Sequence, residues 1–222
     1  MTNYLFTSES VGVGHPDKIC DQISDAILDE CLKQDPFSRV ACEALVGSGL
    51  LVLAGEITTE ARTDFQEIAR NTIKEIGYRD FRLGFDYHSC GIIASIHKQS
   101  PDIARGVALA DDIGAGDQGI MFGYASDETP ELMPLPIMLA HKLVITLKDF
   151  QDQNTLPYLR PDAKSQVTIE YNEDDEPVRI HSIVLSAQHT EDVAHKQVHE
   201  DMTKMIHDTL PADLLDDDTR YF

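Results

Sequence analysis

The apolar pattern of this 222-residue chain runs strand, helix, strand, strand, helix, strand, and then starts the same series again. Such a repeat restricts the chain to two α+β units of one plan, each with the length of a small domain. In the first pass, Asn3 to Ser8 reads as a strand, broken by Gly12 and Gly14, with Pro16 at the first position of a helix. Ile19, Ile23, Ala26, Ile27 and Cys31 recur at helical spacing until Asp35-Pro36 stops them. Arg39 to Val46 and Leu50 to Ile57 form a hairpin pattern around Gly47-Ser48-Gly49. A second helix carries Phe65, Ile68, Ala69, Ile73 and Ile76 and closes at Gly77, before a strand over Gly91 to His97.

The second pass predicts a strand over Gly119 to Tyr124 and a helix marked by Ile137, Ala140, His141, Val144 and Leu147. A hairpin over Ser165 to Tyr171 and Val178 to Ser186 follows, then a helix from Glu191 to Thr209 and a last strand starting near Tyr221-Phe222. The domain reading is therefore 1–103, a mobile linker over 104–116 whose loop begins near Gln99, and 117–222 with its last strand cut short.

Charge narrows the function. The net charge is −21, with −7 in the first 111 residues and −14 in the rest, which argues against nucleic acid and anionic lipid as partners. Runs such as Glu173 to Glu176 and Asp216 to Asp218 read as solvated turns. The longest apolar run, Ala44 to Gly55, has 12 residues, short of a membrane span. The first residues lack a basic signal-peptide start, and Cys20, Cys31, Cys42 and Cys90 show no CxxC spacing. The expectation is a cytoplasmic protein with reduced core thiols. A phosphorylated substrate would need local Lys, His, helix N-termini or bound cations to overcome the acidic field.

Gly12-Val13-Gly14-His15-Pro16-Asp17-Lys18 joins a strand to a helix N-terminus, where free N–H groups favour an anion. His15 could bond a phosphate and Asp17 could hold Mg²⁺; a plain helix cap is the other reading. Gly114 to Gly119 matches GxGxxG, but strand-like Ile120-Met121-Phe122 follows where the dinucleotide motif needs a helix. Glu43 and Glu56 sit within apolar strands, as binders of a cation or ammonium group or as edge acids facing water. A three-residue turn would place them on opposite faces. Asp162 and Lys164, ahead of a strand, could present charges of both signs. His195 and His199 have a zinc-compatible spacing without a third ligand, and are read as a solvated helix face.

Six strings occur in order: FTSESVGVGHPDKICDQISDAILD, ACEALV…LAGEITT, KQSPDIARGV, GAGDQGIMFGYA, LRPDAKSQVT and LSAQH. Together they resemble bacterial-type S-adenosylmethionine synthetase, and the resemblance spans essentially the whole chain. It implies domains of the same β-α-β-β-α-β plan and a reaction of ATP with L-methionine. The sulfur attacks C5′, the triphosphate leaves, and it is then hydrolysed to phosphate and pyrophosphate. It implies His15 and Lys164 as catalytic groups and His15, Asp162, Ala163 and Lys164 at ATP. Glu56, Gln99 and Asp117 fall at methionine, Asp17 at Mg²⁺ and Glu43 at K⁺. Two Mg²⁺ per site and a homodimer or dimer of dimers with shared active sites belong to the same implication. The alternation of Val40, Cys42 and Ala44 with Val52 and Ala54 is expected to give the dimer its apolar face.

The resemblance covers the first two of the family's three domains, and the third, with its glycine-rich phosphate motif and further cations, is expected to be absent. Inactivity of this chain alone is therefore expected. The alternative function is a catalytically silent partner that binds a complete synthetase subunit.

Overall fold

The computed structural model describes residues 3–98, 108–109, 112–113 and 119–222. By contacts the chain forms two compact units, Met1–His15 with Tyr124–Phe222, and Pro16–Gly123.

In the unit of Pro16–Gly123, α1 (Pro16–Gln34) opens with proline, and its Ile19, Ile23, Ile27 and Cys31 form one buried stripe. β2 (Arg39–Gly47) and β3 (Leu50–Thr58) are an antiparallel hairpin, and β4 (Gly91–His97) adds parallel to β3. Leu51, Leu53 and Ile57 are buried with Ala69, Ile73 and Ile76 of α2 (Phe65–Ile76). Full burial of each Leu or Ile contributes about 1.5–3 kcal/mol. Asp64 caps α2 by accepting from the N–H groups of Gln66 and Glu67, and Gly77 ends it at φ 121°.

The hairpin turn differs from expectation. Gly47 pairs with Leu50, so the turn has two residues, Ser48 and Gly49, with Gly49 at φ 68°. The register consequently shifts by one and every face assignment in β3 reverses. Val40, Cys42 and Ala44 lie on the face of buried Leu51, Leu53 and Ile57, whereas Val52 and Ala54 lie on the opposite face with Leu45 and Ile93. The single apolar face expected from these five residues does not exist.

In the other unit the sheet order is β1-β7-β8-β9, from β1 (Tyr4–Val11), β7 (Leu159–Tyr171), β8 (Pro177–His189) and β9 (Arg220–Tyr221). One face packs on α3 (Leu135–Asp152) and α4 (His195–Thr209), burying Leu139, Leu143 and Leu147 with Val167, Ile169, Ile180, Ile183, Met202 and Met205. β9 lies near the Tyr221-Phe222 position expected for the last strand, and it pairs parallel to β8. The β7–β8 turn, Glu173 to Glu176, is exposed as expected. Asp216 is not merely solvated: Arg179 donates to both its carboxylate oxygens at 2.6 and 2.7 Å and to Glu170 at 3.2 Å.

The strand expected over Gly119 to Tyr124 is absent, and Ile120, Met121, Phe122 and Tyr124 are 77–94% exposed. A strand needs an edge as well as a pattern. The outer edge of β7 is occupied by β1 over eight residues, from Tyr4 opposite Tyr171 to Val11 opposite Lys164. The first strand of the chain thus completes the sheet of the second repeat. Most of the linker over 104–116 lies outside the described residues, apart from β5 (Ala108–Leu109) paired with β6 (Asp112–Ile113).

Gly55 adopts φ 137°, and a Cβ there would lie 2.0 Å from the Ala41 carbonyl oxygen. Gly55→Ala should destabilise this unit by about 1–3 kcal/mol or more, read as a lower denaturant midpoint. Gly47→Ala, where a Cβ meets nothing within 4 Å, should change it little.

Candidate functional site

The candidate residues fall into two groups, one in each unit. In the first, β1 ends against the start of β7. The Gly12 N–H donates to the Ala163 carbonyl at 2.8 Å, and the His15 N–H donates to the Gly12 carbonyl at 3.0 Å, closing the turn. Gly14 packs so tightly that a Cβ would lie 2.3 Å from the Pro161 carbonyl oxygen, so only glycine fits without moving backbone. The turn buries His15, which is 8% exposed, and leaves Lys164 exposed opposite Val11 in the ladder.

Asp162 interacts electrostatically with both His15 and Lys164. Burial pushes its carboxyl above the ordinary value of 3.8, while the positive fields of His15 and Lys164 and the Ala163 N–H act in the opposite direction. Its Oδ1 is buried without a hydrogen-bond partner, and its N–H donates to Gln188 Oε1 at 3.3 Å. The corner therefore combines tightly folded backbone, one buried imidazole, one exposed ammonium group and an under-bonded carboxylate. Such a set can receive a polar ligand carrying both phosphate and hydrogen-bond donors.

The second group lies in the other unit. Asp17 is exposed in the first turn of α1. Glu43 pairs with Ala54 and Glu56 with Ala41, so the two acids share the open face of the sheet as diagonal neighbours. This corrects the opposite-face expectation, and its cause is the two-residue turn. Diagonal positions are separated by about 7–8 Å, a spacing at which two carboxylates jointly attract a cation. His97, which sequence reasoning missed, lies beside Glu56 in the parallel ladder, its Nε2 3.3 Å from Ser95 Oγ. Gln188 was also missed as a site residue, although it stands in the LSAQH string. Gln99 and Asp117 lie outside the described residues.

Among the described residues, no three His, Cys, Asp or Glu side chains converge as a metal cage. A single exposed carboxylate such as Asp17 still fits Mg²⁺, which keeps waters and shares phosphate oxygens instead of entering an all-protein cage. Glu43, beside a second carboxylate, fits a singly charged cation. No helix in the described residues is long and apolar enough to cross a membrane.

Because folding raises the pKa of Asp162, the folded state holds this proton more tightly than the unfolded chain. Ionisation thus costs stability: the cost is absent below 3.8 and complete once the pH passes the raised value. Asp162→Asn should therefore melt at or above the wild-type temperature at pH 7, with the advantage shrinking as the pH approaches 3.8. Thermal unfolding across this range checks it.

Comparison with known proteins identifies the two halves of the chain. The S-adenosylmethionine synthetase N-terminal domain matches residues 3–101, and the central domain of the same family matches residues 112–222. The S-adenosylmethionine synthase of Sorangium cellulosum (strain So ce56) is 54% identical over 227 aligned residues. That alignment takes in 100% of this chain and 54% of the relative, so the chain spans about half the relative's length. The chain belongs to the S-adenosylmethionine synthetase family.

Proposed function

We propose that this chain supplies the N-terminal and central parts of a cytoplasmic methionine adenosyltransferase, which makes S-adenosylmethionine from ATP and L-methionine and releases phosphate and pyrophosphate. The observation that carries the reading is the corner of Gly12, Gly14 and His15 against Pro161 to Lys164, which gathers cationic groups in a strongly acidic chain.

The chemistry needs two reactants held in line, because sulfur attack on C5′ requires orientation more than proton transfer. Asp162 and Ala163 hold the nucleotide. Negative charge grows on the departing triphosphate oxygen, and His15 and Lys164 stabilise it there. Glu56, with Gln99 and Asp117, receives methionine, and its carboxylate pairs with the ammonium group. Mg²⁺ at Asp17, two ions per site, would neutralise phosphate charge when bound, and Glu43 would hold K⁺. The open face carrying Leu45, Val52 and Ile93 beside Glu43 and Glu56 supports a homodimer or dimer of dimers, in which the partner covers this apolar surface.

In a protein of the relatives' full length, His15→Ala and Lys164→Ala should lower kcat strongly, since both groups act on charge that develops in the transition state. Glu56→Gln should chiefly raise the methionine KM. Losing a charge-assisted hydrogen bond costs about 1.5–3 kcal/mol, roughly 10- to 150-fold. Steady-state kinetics alongside thermal unfolding checks the assignment. Lower melting temperatures with unchanged kinetics would instead make these residues parts of the scaffold.

A further inference from the structure

The pair His195 and His199 takes no part in the proposed reaction. The two residues stand one turn apart at the start of α4, and both are exposed. They line one shallow cavity of about 70 Å³ together with Thr203, one further turn along the helix, and Tyr221 of β9. The rest of the lining, Leu185, Val198, Met202, Ile206 and Phe222, is apolar, so the two imidazoles are its only side chains able to ligate a soft or borderline metal through nitrogen. Tyr221 also packs its ring against His207, centroids 5.4 Å apart, and its hydroxyl is buried without a hydrogen-bond partner.

The geometry points to a binding site for a transition-metal dication of the imidazole-favouring class, such as Ni²⁺ or Zn²⁺, held by His195 and His199. Side chains four residues apart on a helix meet on one face, and this spacing lets two imidazoles enter one coordination sphere. Neutral imidazole suits Zn²⁺, Cu²⁺ and Ni²⁺, whereas Mg²⁺ and Ca²⁺ prefer oxygen. The remaining positions go to water. Lys196 follows His195 where zinc peptidases carry a glutamate base, and it pairs with Glu200 at 3.6 Å. The pair thus binds metal without the hydrolytic chemistry of that motif. Glu191, Asp192, Glu200 and Asp201 are close in sequence, with Glu200 paired to Lys196 and Asp201 accepting from Tyr158 and Gln197. The dipole of the α4 N-terminus opposes a cation there, which sets the site to modest affinity.

Calorimetric titration of the chelator-treated 222-residue chain with Ni²⁺, in excess Mg²⁺ and without ATP or methionine, tests the site. The expected result is saturable binding of one ion. It should be lost in both His195→Ala and His199→Ala and retained in His181→Ala. Ni²⁺ should also raise the melting temperature of the wild type but not of His199→Ala. Binding unchanged in either single variant, or no binding at pH 8, overturns the proposal. Because no substrate is present, either outcome is independent of the synthetase reading.

Discussion

The pairing of β1 along β7 is the contact on which the candidate phosphate corner depends. Eight residues at the N-terminus, Tyr4 to Val11, lie antiparallel to a strand near the far end of the sequence. Where the ladder stops, the Gly12 N–H bonds the Ala163 carbonyl, and Gly14 closes onto Pro161. This brings His15 to Asp162 and Lys164. Forming such a long-range ladder requires closing a loop of nearly the whole intervening chain, a cost that grows only slowly with length but precedes any contact energy. The pairing also divides the chain by contact at His15, so that the segment Gly12 to Lys18 links the two units.

The acidic composition and the proposed phosphate-handling role are reconciled locally. Within the corner, burial pushes the carboxyl of Asp162 up while the charges of His15 and Lys164 act in the opposite direction. Elsewhere the negative charge lies in exposed turns such as Glu173 to Glu176, or is bound as at Asp216, whose carboxyl Arg179 holds well below the usual range. In the other unit, Glu43 and Glu56 share an open face where a cationic group can be attracted by both.

Much of this was legible in the residues. Helical spacing located α1 and α2 because their buried stripes are strict, and the family emerged from six ordered strings. What failed has identifiable physical causes. The faces of Glu43 and Glu56 depended on a turn in which Gly49 adopts φ 68°, and a turn shorter by one residue inverts every side chain of the strand. The strand expected at Gly119 to Tyr124 depended on which segment takes the β7 edge. Local pattern does not encode that competition, and β1 takes it. His97 and Gln188 gained their places only through neighbouring strands, by lying beside Glu56 and Asp162.

The central claim is that the β1–β7 junction forms an anion-receiving corner. The most direct measurement is a titration of the isotopically labelled chain with inorganic triphosphate, followed by amide chemical shifts. The account predicts that the largest changes fall on Gly12, Gly14, His15, Ala163 and Lys164, with residues lining the α1–α2 groove, such as Asn71 and Thr72, unmoved. Shifts concentrated away from the junction, or none at millimolar triphosphate, would contradict it.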